Sequence, residues 1–338
     1  TGWYTSIATD SAGRPHMSYW DLGQSALRYA RWTGAAWQLE TVDNSGYVGQ
    51  TNALALDASD RPIISYYDYT NGGLKVARWN GQAWIIEAVE TIAPLLGSGL
   101  YTAIALTPAG EPVVSHADHS NHLLKVSSHE TGSWITQAVD GGTPIGTSVA
   151  LDPVTGDRYV SYSYQFGQGS HLKFAHRVGI DWQAEIVAPG GDRGWYSRLV
   201  RDSDGGLHIV SWDLGLHRVE YSTLNVIVGD GPATATWITE TVDDLAASGF
   251  TDQWIGLALS EAGILHATYR VGTIELRHAW APLATAGIPG PAGAPAPAPP
   301  LVLGPIRPNP ASATAVIPLR LVEEQKVRLP VHDAAGRA

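Results

Sequence analysis

The chain has 338 residues, a formal net charge of −11 at pH 7, no cysteine and thirteen tryptophans. The lack of cysteine excludes disulfide bonds and cysteine-ligated metal sites, and the acidic balance argues against nucleic acid as the main partner. No apolar run reaches the roughly 18 to 20 residues that a membrane-spanning helix needs, so we expect no membrane span.

One segment recurs about every 50 residues along the chain. In chain order its copies are RPHMSYWD (14–21), RPIISYYD (61–68), EPVVSHAD (111–118), DRYVSYSY (157–164), GLHIVSWD (206–213) and ILHATYRV (264–271). The apolar pattern of these copies, and the turn-forming residues on either side of them, predict a β-strand.

Three further strand-like segments accompany this one. An apolar segment of small residues precedes it, as in ALALD (53–57), and a third segment follows it, as in LKVAR (74–78). The fourth segments begin at Trp37, Trp84, Trp134, Trp182 and Trp237. Four of these tryptophans have a glutamate three residues later, and Gln137 takes that place after Trp134. An insertion near 226–235 lengthens the fifth copy.

A repeat of about 40 to 50 residues that contains four strands is typical of a β-propeller blade. One such sheet cannot bury both of its faces, so blades pack side by side in a ring. The six copies therefore predict an all-β fold, a six-bladed β-propeller with four-stranded antiparallel blades. We expect the first strand to lie nearest the axis, and the repeated tryptophans to fill the space between adjacent blades.

The sixth copy ends differently from the others. No Trp-x-x-Glu segment follows 276–280, and the chain enters a stretch rich in proline, alanine and glycine that is typical of a semi-rigid linker. We predict a propeller at 1–281, a linker at 282–300 and a short strand-forming tail at 301–338. The sixth blade then lacks its outer strand, and its edge stays open, is filled by the tail in cis, or is filled by another chain.

Two alternating segments in the tail predict strands. Their apolar faces contain Ile317, Leu319, Leu321, Val327, Leu329 and Val331. Strand addition between chains supplies affinity through main-chain hydrogen bonds. We therefore predict that these assembly strands pair with a neighbouring copy or with the open sixth blade, which makes further copies of the protein the expected partner.

The tail also resembles a family of export domains. The segment PNPAS (308–312), the two alternating strands, and Asp333 with Gly336 and Arg337 are similar to the start of the Ig-like C-terminal sorting domains of the bacterial type IX secretion system. Flagellar hook-capping Ig-like modules share the likeness, which covers roughly the last tenth of the chain. The resemblance implies a partial Ig-like segment and export, so we expect an extracellular or cell-surface protein.

Two groups of residues have spacings found in metal sites. His116, His119 and His122 could converge on a metal ion from one hairpin, although a polar loop explains them equally simply. The segment DSDG (202–205) is similar to part of a calcium loop, but the other copies have a turn at this position, where Asp and Gly are expected. We predict no metal site and no other cofactor.

Recurring polar residues give little indication of catalysis. His16, His208 and His266 share a second-strand position that Ile63 and Val113 occupy in other copies, so we expect core histidines rather than a catalytic set. Carboxylates recur in step with the repeat, whereas a catalytic site is normally singular. The S-x-D-x-G-x-T-W turns usual in sialidase-like glycosidases are absent. We therefore predict that the protein is not an enzyme.

Aromatic residues at strand edges are the remaining binding candidates. Those that could stack on sugar rings are Trp3, Trp20, Tyr67, Trp195, Trp212 and Trp254. Some bacterial and fungal propeller lectins use repeated inter-blade aromatic pockets with Arg or Glu, but packing between blades is the interpretation that we favour for these residues. We predict foremost a secreted, self-associating structural or adhesive subunit. The alternative hypothesis is a carbohydrate-binding lectin whose partners are glycans.

Overall fold

A computed structural model describes residues 2–91, 97–166, 169–227, 234–245, 251–271 and 275–283, and the short segments 302–304, 314–315 and 329–330. These residues form strands and turns with no helix among them. In this part of the chain there is accordingly no helix long and apolar enough to cross a membrane. Six four-stranded sheets follow one another, which confirms the predicted all-β, six-bladed propeller with antiparallel blades.

The first three blades are regular antiparallel meanders. Blade 1 contains β1 (Trp3–Thr9), β2 (Pro15–Asp21), β3 (Ala26–Trp32) and β4 (Trp37–Asp43). Blade 2 contains β5 (Val48–Leu56), β6 (Pro62–Asp68), β7 (Gly73–Trp79) and β8 (Trp84–Thr91). Blade 3 contains β9 (Ser98–Leu106), β10 (Pro112–Asp118), β11 (Leu123–Glu130) and β12 (Ser133–Gly141).

The last three blades differ from one another in strand length. Blade 4 contains β13 (Thr147–Leu151), β14 (Arg158–Phe166), β15 (Gly169–Val178) and β16 (Asp181–Ala188). Blade 5 contains β17 (Arg193–Arg201), β18 (Leu207–Asp213), β19 (Arg218–Ile227) and β20 (Thr234–Asp244). Blade 6 contains β21 (Thr251–Leu259), β22 (Ile264–Val271), β23 (Glu275–Pro282) and the three-residue β24 (Val302–Gly304).

The first strand of each blade is the inner one, as the sequence predicts. Successive inner strands contact each other around the ring from β1 to β21. Small residues such as Ala55, Ala105 and Ala150 occupy the same position in these strands, and they allow the backbones to approach closely near the axis. At the junction of blades 6 and 1, the rings of Tyr4 and Trp254 lie 5.2 Å apart.

A β-bulge interrupts the start of five of the six inner strands, with β13 as the exception. In β1 the pairing with β2 shifts register between Trp3 and Ser6. The bulged residues have left-handed backbone, with φ of 52° at Tyr4, 44° at Thr51 and 51° at Tyr196. Few L-residues adopt this conformation, and a β-branched threonine does so least readily. The same three side chains line one cavity at the axis.

Buried polar pairs join each blade to the next. Hydroxyl groups of second strands bond to inner strands of the following blade in the pairs Ser18–Asn52 (2.5 Å), Ser65–Thr102 (2.6 Å), Ser115–Thr147 (2.8 Å) and Ser161–Ser197 (3.0 Å). Phenols of second strands bond to outer-strand carboxylates of the preceding blade in the pairs Tyr66–Asp43 (2.7 Å), Tyr162–Asp140 (2.5 Å) and Tyr269–Asp243 (2.9 Å). Because buried polar groups need partners, these bonds fix the register between blades.

The sixth blade has three long strands, as the sequence predicts, and its own chain pairs with the exposed edge. Ala279 of β23 lies opposite Leu303 of β24 in an antiparallel ladder. Of the alternatives for this edge, the structure shows pairing in cis, and it gives no support to strand exchange between copies.

Most of the tail lies outside the described residues. Leu329 belongs to β26 (Leu329–Pro330), which pairs with β25 (Thr314–Ala315). The other five assembly residues, namely Ile317, Leu319, Leu321, Val327 and Val331, lie outside the described residues, as do 284–301. The domain boundaries, the assembly strands and the Ig-like segment therefore stay predictions.

Candidate functional site

The repeated Trp-x-x-Glu segments form a belt of hydrogen bonds between blades. Each indole Nε1–H donates to the acid or amide of the preceding blade, in the pairs Trp84–Glu40 (3.1 Å), Trp134–Glu87 (3.2 Å), Trp182–Gln137 (3.4 Å) and Trp237–Glu185 (2.8 Å). These four tryptophans fill the inter-blade space as predicted, whereas Trp37, the first of the five, is 40% exposed. Glu40 thus binds a neighbouring blade, so its repetition has a structural cause.

Pocket A is a cleft of about 420 Å³ between blades 1 and 2. Half-buried Trp32, at the end of β3, and half-buried Trp79, at the end of β7, both line it. Arg14, Arg31 and Arg61 line it as well, together with three carboxylates. An open pocket that combines aromatic rings with alternating donors and acceptors suits a ligand that has both an apolar face and hydroxyl groups.

Pocket B is the equivalent cleft between blades 2 and 3, with a volume of about 400 Å³. It shares Trp79 and Arg61 with pocket A, so the two clefts adjoin. Arg78 lines pocket B from the position that Arg31 has in pocket A. Glu111 stands in pocket B where Arg61 stands in pocket A. The two clefts are therefore repeats of one site with different charges.

The two equivalent arginines differ in how their charge is matched. Arg78 lies 3.3 Å from the Glu87 carboxylate and 3.1 Å from that of Glu111. Arg31 is exposed and donates from Nε and Nη2 to the neutral amide oxygen of Gln38, at 3.0 and 2.8 Å. Since no carboxylate among the described residues pairs with Arg31, pocket A offers the less neutralised guanidinium.

A hydrogen-bonded relay lies in the wall of pocket A. The Tyr29 hydroxyl is bonded to Nδ1 of His16, and Nε2 of His16 lies 3.6 Å from the Asp10 carboxylate. Burial lowers the pKa of His16, so this imidazole is neutral at pH 7. Burial acts to raise the pKa of Asp10, but hydrogen bonds from Arg14 and Ala12 outweigh it and hold this pKa at about 2. The relay therefore joins a phenol to an ionised carboxylate through a neutral imidazole.

A second relay of the same kind lies in blade 5. His208 Nδ1 is 2.7 Å from the Tyr221 hydroxyl, and its Nε2 is 3.0 Å from the Asp202 carboxylate. It lines pocket C, a cleft of about 270 Å³ between blades 5 and 6 that has mostly apolar walls. The third histidine of this position, His266, bonds instead to His278 at 3.0 Å. His16 and His208 are buried and hydrogen-bonded, as expected of core histidines, but they also face clefts.

The three histidines of the predicted metal candidate have separate partners. His116 is fully buried and its Nε2 is 3.0 Å from the Ser127 hydroxyl. His119 Nε2 is 2.9 Å from the carbonyl oxygen of Pro144, and His122 Nδ1 is 2.7 Å from the Thr143 hydroxyl. Each ring is oriented by its own bond, so the three do not point at one centre.

The calcium-like segment is a turn held by its first aspartate. Asp202 Oδ1 accepts hydrogen bonds from the backbone N–H of Asp204 at 2.9 Å and of Gly206 at 2.6 Å. Asp57 does the same for Ser59 and Arg61 in blade 2. The carboxylates that recur here therefore serve the turn, and no group of three or more His, Asp or Glu side chains among the described residues is placed to hold a metal ion.

The predicted sugar-stacking residues fall into two groups. Trp20, Tyr67 and Trp212 are buried, with 4%, 2% and 0% of their surface exposed. They pack against neighbouring rings or side chains inside the protein, as the packing interpretation expects. Trp3 (55% exposed), Trp254 (39% exposed) and half-buried Trp195 reach the surface at the start of inner strands. A ligand role for these six residues stays a prediction.

Sequence reasoning did not single out the residues that build pockets A and B. The signal was the pair Arg-Trp at the end of the third strand, which occurs as Arg31-Trp32 and Arg78-Trp79. His129 and Arg177 replace this tryptophan in blades 3 and 4. A pair that occurs in only two adjacent copies departs from the repeat, and such departures mark a local site better than constant positions do.

Comparisons with known proteins identify the fold but no family. No family model matches the chain, and no curated protein matches it. A fungal lectin, the Aleuria aurantia lectin, is a six-bladed propeller described with a fucose recognition mode. It aligns with a TM-score of 0.55 and 11% identity, over 89% of this chain and 93% of the lectin.

Two further solved propellers are enzymes by name. An ulvan lyase from a polysaccharide lyase family aligns with a TM-score of 0.51 and 11% identity, over 83% of each chain. The intramolecular trans-sialidase of Ruminococcus gnavus aligns with a TM-score of 0.50 and 10% identity, over 80% of this chain and 90% of that one. At such identities the likeness shows the shared fold alone.

The prediction that the protein is not an enzyme is contradicted by these neighbours. It rested on carboxylates that recur with the repeat. The lyase and the trans-sialidase show that a propeller of this kind can carry catalysis. The physical reason is that a repeated frame constrains only the repeated positions, and a site can be assembled from the positions where copies differ.

Proposed function

We propose that the protein binds carbohydrate in pockets A and B. The observation that carries this proposal is the pair of adjoining clefts with Trp79 in both, each about 400 Å³ and each lined by an Arg-Trp pair. Pyranose rings have an apolar face that packs on an indole ring and hydroxyl groups that bond to guanidinium and carboxylate groups. A propeller lectin among the structural neighbours is consistent with this role.

Pocket A is the stronger of the two proposed sites. Arg31 there is bound by a neutral amide rather than by a carboxylate, and Arg61 replaces the acid of pocket B. Bidentate donors of this kind recognise neighbouring hydroxyl groups or a sugar carboxylate. We therefore propose that pocket A binds acidic sugars better than pocket B does.

A glycan array with the full chain tests the proposal. The array includes fucosylated, sialylated and uronic-acid glycans, and the strongest hit is titrated calorimetrically. The Trp79→Ala variant is expected to weaken binding about fivefold or more at both clefts, because one stacked aromatic ring contributes about 1 kcal/mol or more. Trp182→Ala is the matched control, since Trp182 is a half-buried tryptophan of blade 4 that lines neither cleft.

Two results would overturn this proposal. One is an array without any saturable hit, and the other is binding that Trp79→Ala and Trp182→Ala reduce equally. Arg31→Gln provides a variant that leaves the aromatic packing intact. This variant is expected to weaken the binding of acidic glycans more than the binding of neutral ones.

A second candidate function is acid–base chemistry on the sugar in pocket A. The observation in its favour is the relay of Tyr29, His16 and Asp10 in the wall of that cleft. A phenol next to a neutral imidazole can exchange a proton with a bound substrate. Burial raises the pKa of Tyr29, which keeps the phenol protonated at neutral pH.

Turnover separates this candidate from binding alone. The chain is incubated with uronic-acid polysaccharides and with sialylated oligosaccharides, and new reducing ends or unsaturated products are measured. Tyr29→Phe is expected to abolish turnover and to leave binding within a few-fold of the wild type. Tyr221→Phe, the equivalent change in blade 5, is the matched control. If no product forms with any substrate, or if both variants retain turnover, this candidate fails.

Export to the cell exterior is part of the proposal as well. Its support is the absence of cysteine and the resemblance of 308–337 to sorting domains. A carbohydrate-binding propeller would meet extracellular polysaccharides there. Detection of the chain in the medium or on the cell surface of its source tests this point.

A further inference from the structure

A small cavity lies at the axis of the ring, at the opposite end of the inner strands from pockets A, B and C. It has a volume of about 50 Å³ and is lined by residues from all six blades. Tyr4, Tyr101, Tyr196 and Trp254 form an aromatic collar around it, with neighbouring ring centroids between 5.2 and 6.0 Å apart. None of the residues that line the cavity is an Asp or a Glu.

Arg198 brings a positive charge into this cavity. The same inner-strand position holds Ser6, Ala53, Ala103 and Ser148 in other blades, so only blade 5 places a long side chain here. Within the described part of the chain, Arg198 makes one hydrogen bond, from Nη1 to the Ser197 carbonyl oxygen at 3.1 Å, and no ion pair. A guanidinium has five N–H donors, so most of this group's capacity is unused.

Thr51 supplies a second unused donor to the same cavity. It is 8% exposed, and its Oγ1 is buried without a hydrogen-bond partner among the described residues. Its backbone is also strained, with φ of 44° at a β-branched residue. Buried hydroxyl groups without partners are costly, and strain of this kind is found where a site has a function.

We propose that this axial cavity binds one small monovalent anion, either a halide ion or the carboxylate group of a larger ligand. Arg198 supplies the charge, the Thr51 hydroxyl supplies a hydrogen bond, and the collar presents ring edges, which carry positive partial charge. A volume of about 50 Å³ exceeds the roughly 10 to 15 Å³ that one water molecule needs on the same measure, so a chloride ion or one carboxylate group fits, and a whole sugar ring does not.

This site is separate from the proposed carbohydrate clefts. Asp10 and Asp57, at the far ends of their inner strands, line pockets A and B, whereas Tyr4 and Thr51, near the starts of the same strands, line the axial cavity. A defect in one site therefore leaves the other measurable. The protein carries a net charge of −11, so anion binding here needs local rather than overall positive charge.

Thermal unfolding of the full chain at constant ionic strength tests the proposal. Sodium chloride and sodium glucuronate are titrated separately against a large sulfonate salt that the cavity cannot admit. A ligand that binds the folded state alone raises Tm in a saturable way. We expect saturable stabilisation by at least one of the two anions. Chloride alone identifies an inorganic ion, and glucuronate alone or with chloride identifies a site open to carboxylates.

Two variants locate the effect. Arg198→Met keeps the length of the side chain and is expected to raise the half-saturating anion concentration at least tenfold. Arg201→Met is its matched control, because Arg201 lies in the same strand but pairs with Asp152 at 2.6 Å. Thr51→Val keeps the β-branched shape and is expected to raise the half-saturating concentration several-fold, although removal of an unpartnered hydroxyl alone would not destabilise the protein.

The proposal is overturned if neither anion stabilises the wild type in a saturable way. It is also overturned if Arg198→Met and Thr51→Val both keep the wild-type half-saturating concentration. Should Arg198→Met fail to fold, the Thr51→Val titration decides alone.

Discussion

The junction between blades 1 and 2 and the junction between blades 5 and 6 solve the same packing problem differently. At the first, Ser18 bonds to Asn52 and the Trp84 indole bonds to Glu40. At the second, the equivalent positions hold Val210 and Ile255, and both belong to one buried apolar cluster. The last tryptophan of the chain is in β23, so no fourth-strand tryptophan reaches Glu240.

The comparison shows that two residues which face each other across a junction differ together from the residues at the equivalent positions of other junctions. Where the hydroxyl is lost from one blade, its partner in the next blade is apolar as well. Junction 4/5 follows this rule only in part, because Ala188 and Ser211 replace the acid and the phenol that bond elsewhere, and the buried Ser211 hydroxyl has no hydrogen-bond partner among the described residues. A lone buried polar group costs more than a matched apolar pair, so the two members change together.

The largest expected effect comes from breaking one matched pair. Ile255 is 4% exposed within the apolar cluster, and Ile255→Thr leaves a hydroxyl there without a partner. We expect a loss of about 2 to 3 kcal/mol in the free energy of unfolding, measured by urea denaturation.

The double variant Val210→Ser/Ile255→Thr restores a matched hydroxyl pair at this junction. It is expected to be at least about 1 kcal/mol more stable than the sum of the two single changes predicts. Additive single changes would show that the pairing of these two positions has no energetic meaning.

A smaller effect concerns junction 2/3, where His116 stands in place of the phenol and Glu90 in place of the aspartate, 4.0 Å away. Burial, helped by the charge of Lys125, lowers the pKa of His116 to about 4, and the carboxylates of Glu90 and Asp118 offset this only in part. The unfolded chain takes up the proton near pH 6.5, whereas the folded chain does so only near pH 4. The contribution of His116 to stability is therefore full above about pH 6.5 and falls as the pH drops toward 4.

His116→Tyr grafts the phenol of the other junctions onto this one. The free energy of unfolding of this variant is expected to fall less between pH 7 and pH 4.5 than that of the wild type does. The control is His122→Gln, since His122 is exposed in the same hairpin. An unchanged pH dependence in His116→Tyr would contradict the assignment.

The smallest effect compares two glutamates of the hydrogen-bonded belt. Glu185 accepts from the Trp237 indole at 2.8 Å, so Glu185→Ala is expected to cost about 1 kcal/mol. Glu240 stands at the same position one blade later and is exposed like Glu185, but the chain has no later fourth-strand tryptophan to donate to it, so Glu240→Ala is expected to change stability by less than about 0.5 kcal/mol. Chemical denaturation of both variants measures the difference. Equal losses of stability would mean that the hydrogen bond from the indole is not what makes Glu185 important.

The sequence predicted the fold because its signals are local and repeated. Turn residues, alternating strands and the Trp-x-x-Glu spacing all recur within one copy, so six copies reinforce one interpretation. The inner position of each first strand and the missing long outer strand of blade 6 followed from the same aligned positions of the repeat. The pairing of β24 with β23 did not follow, because a three-residue strand has no pattern of its own.

The candidate sites were harder to predict because each joins different blades. Trp32 and Trp79 are 47 positions apart in sequence and meet at one cleft. Arg198 and Thr51 meet at the axis through bulges, and no residue pattern signals a left-handed threonine. The burial of individual side chains could not be predicted either, because the alternating pattern of a strand assigns each side chain to a face of the sheet without saying what covers that face.

The ring closes without a shared sheet. Because β1 is the inner strand of its own blade, the described sheets all lie within one blade each, and the seam between blades 6 and 1 is joined by side-chain contacts such as Tyr4 with Trp254. The other junctions also lack a shared sheet, but there the chain itself runs from one blade into the next, so the seam between blades 6 and 1 is where two blades separate at the lowest cost. Local opening at this seam would expose the edges of the first and last blades and leave the internal junctions intact. Amide hydrogen exchange would then be fastest at the facing edges of blades 1 and 6. The ring would open at this one junction rather than evenly around its circumference.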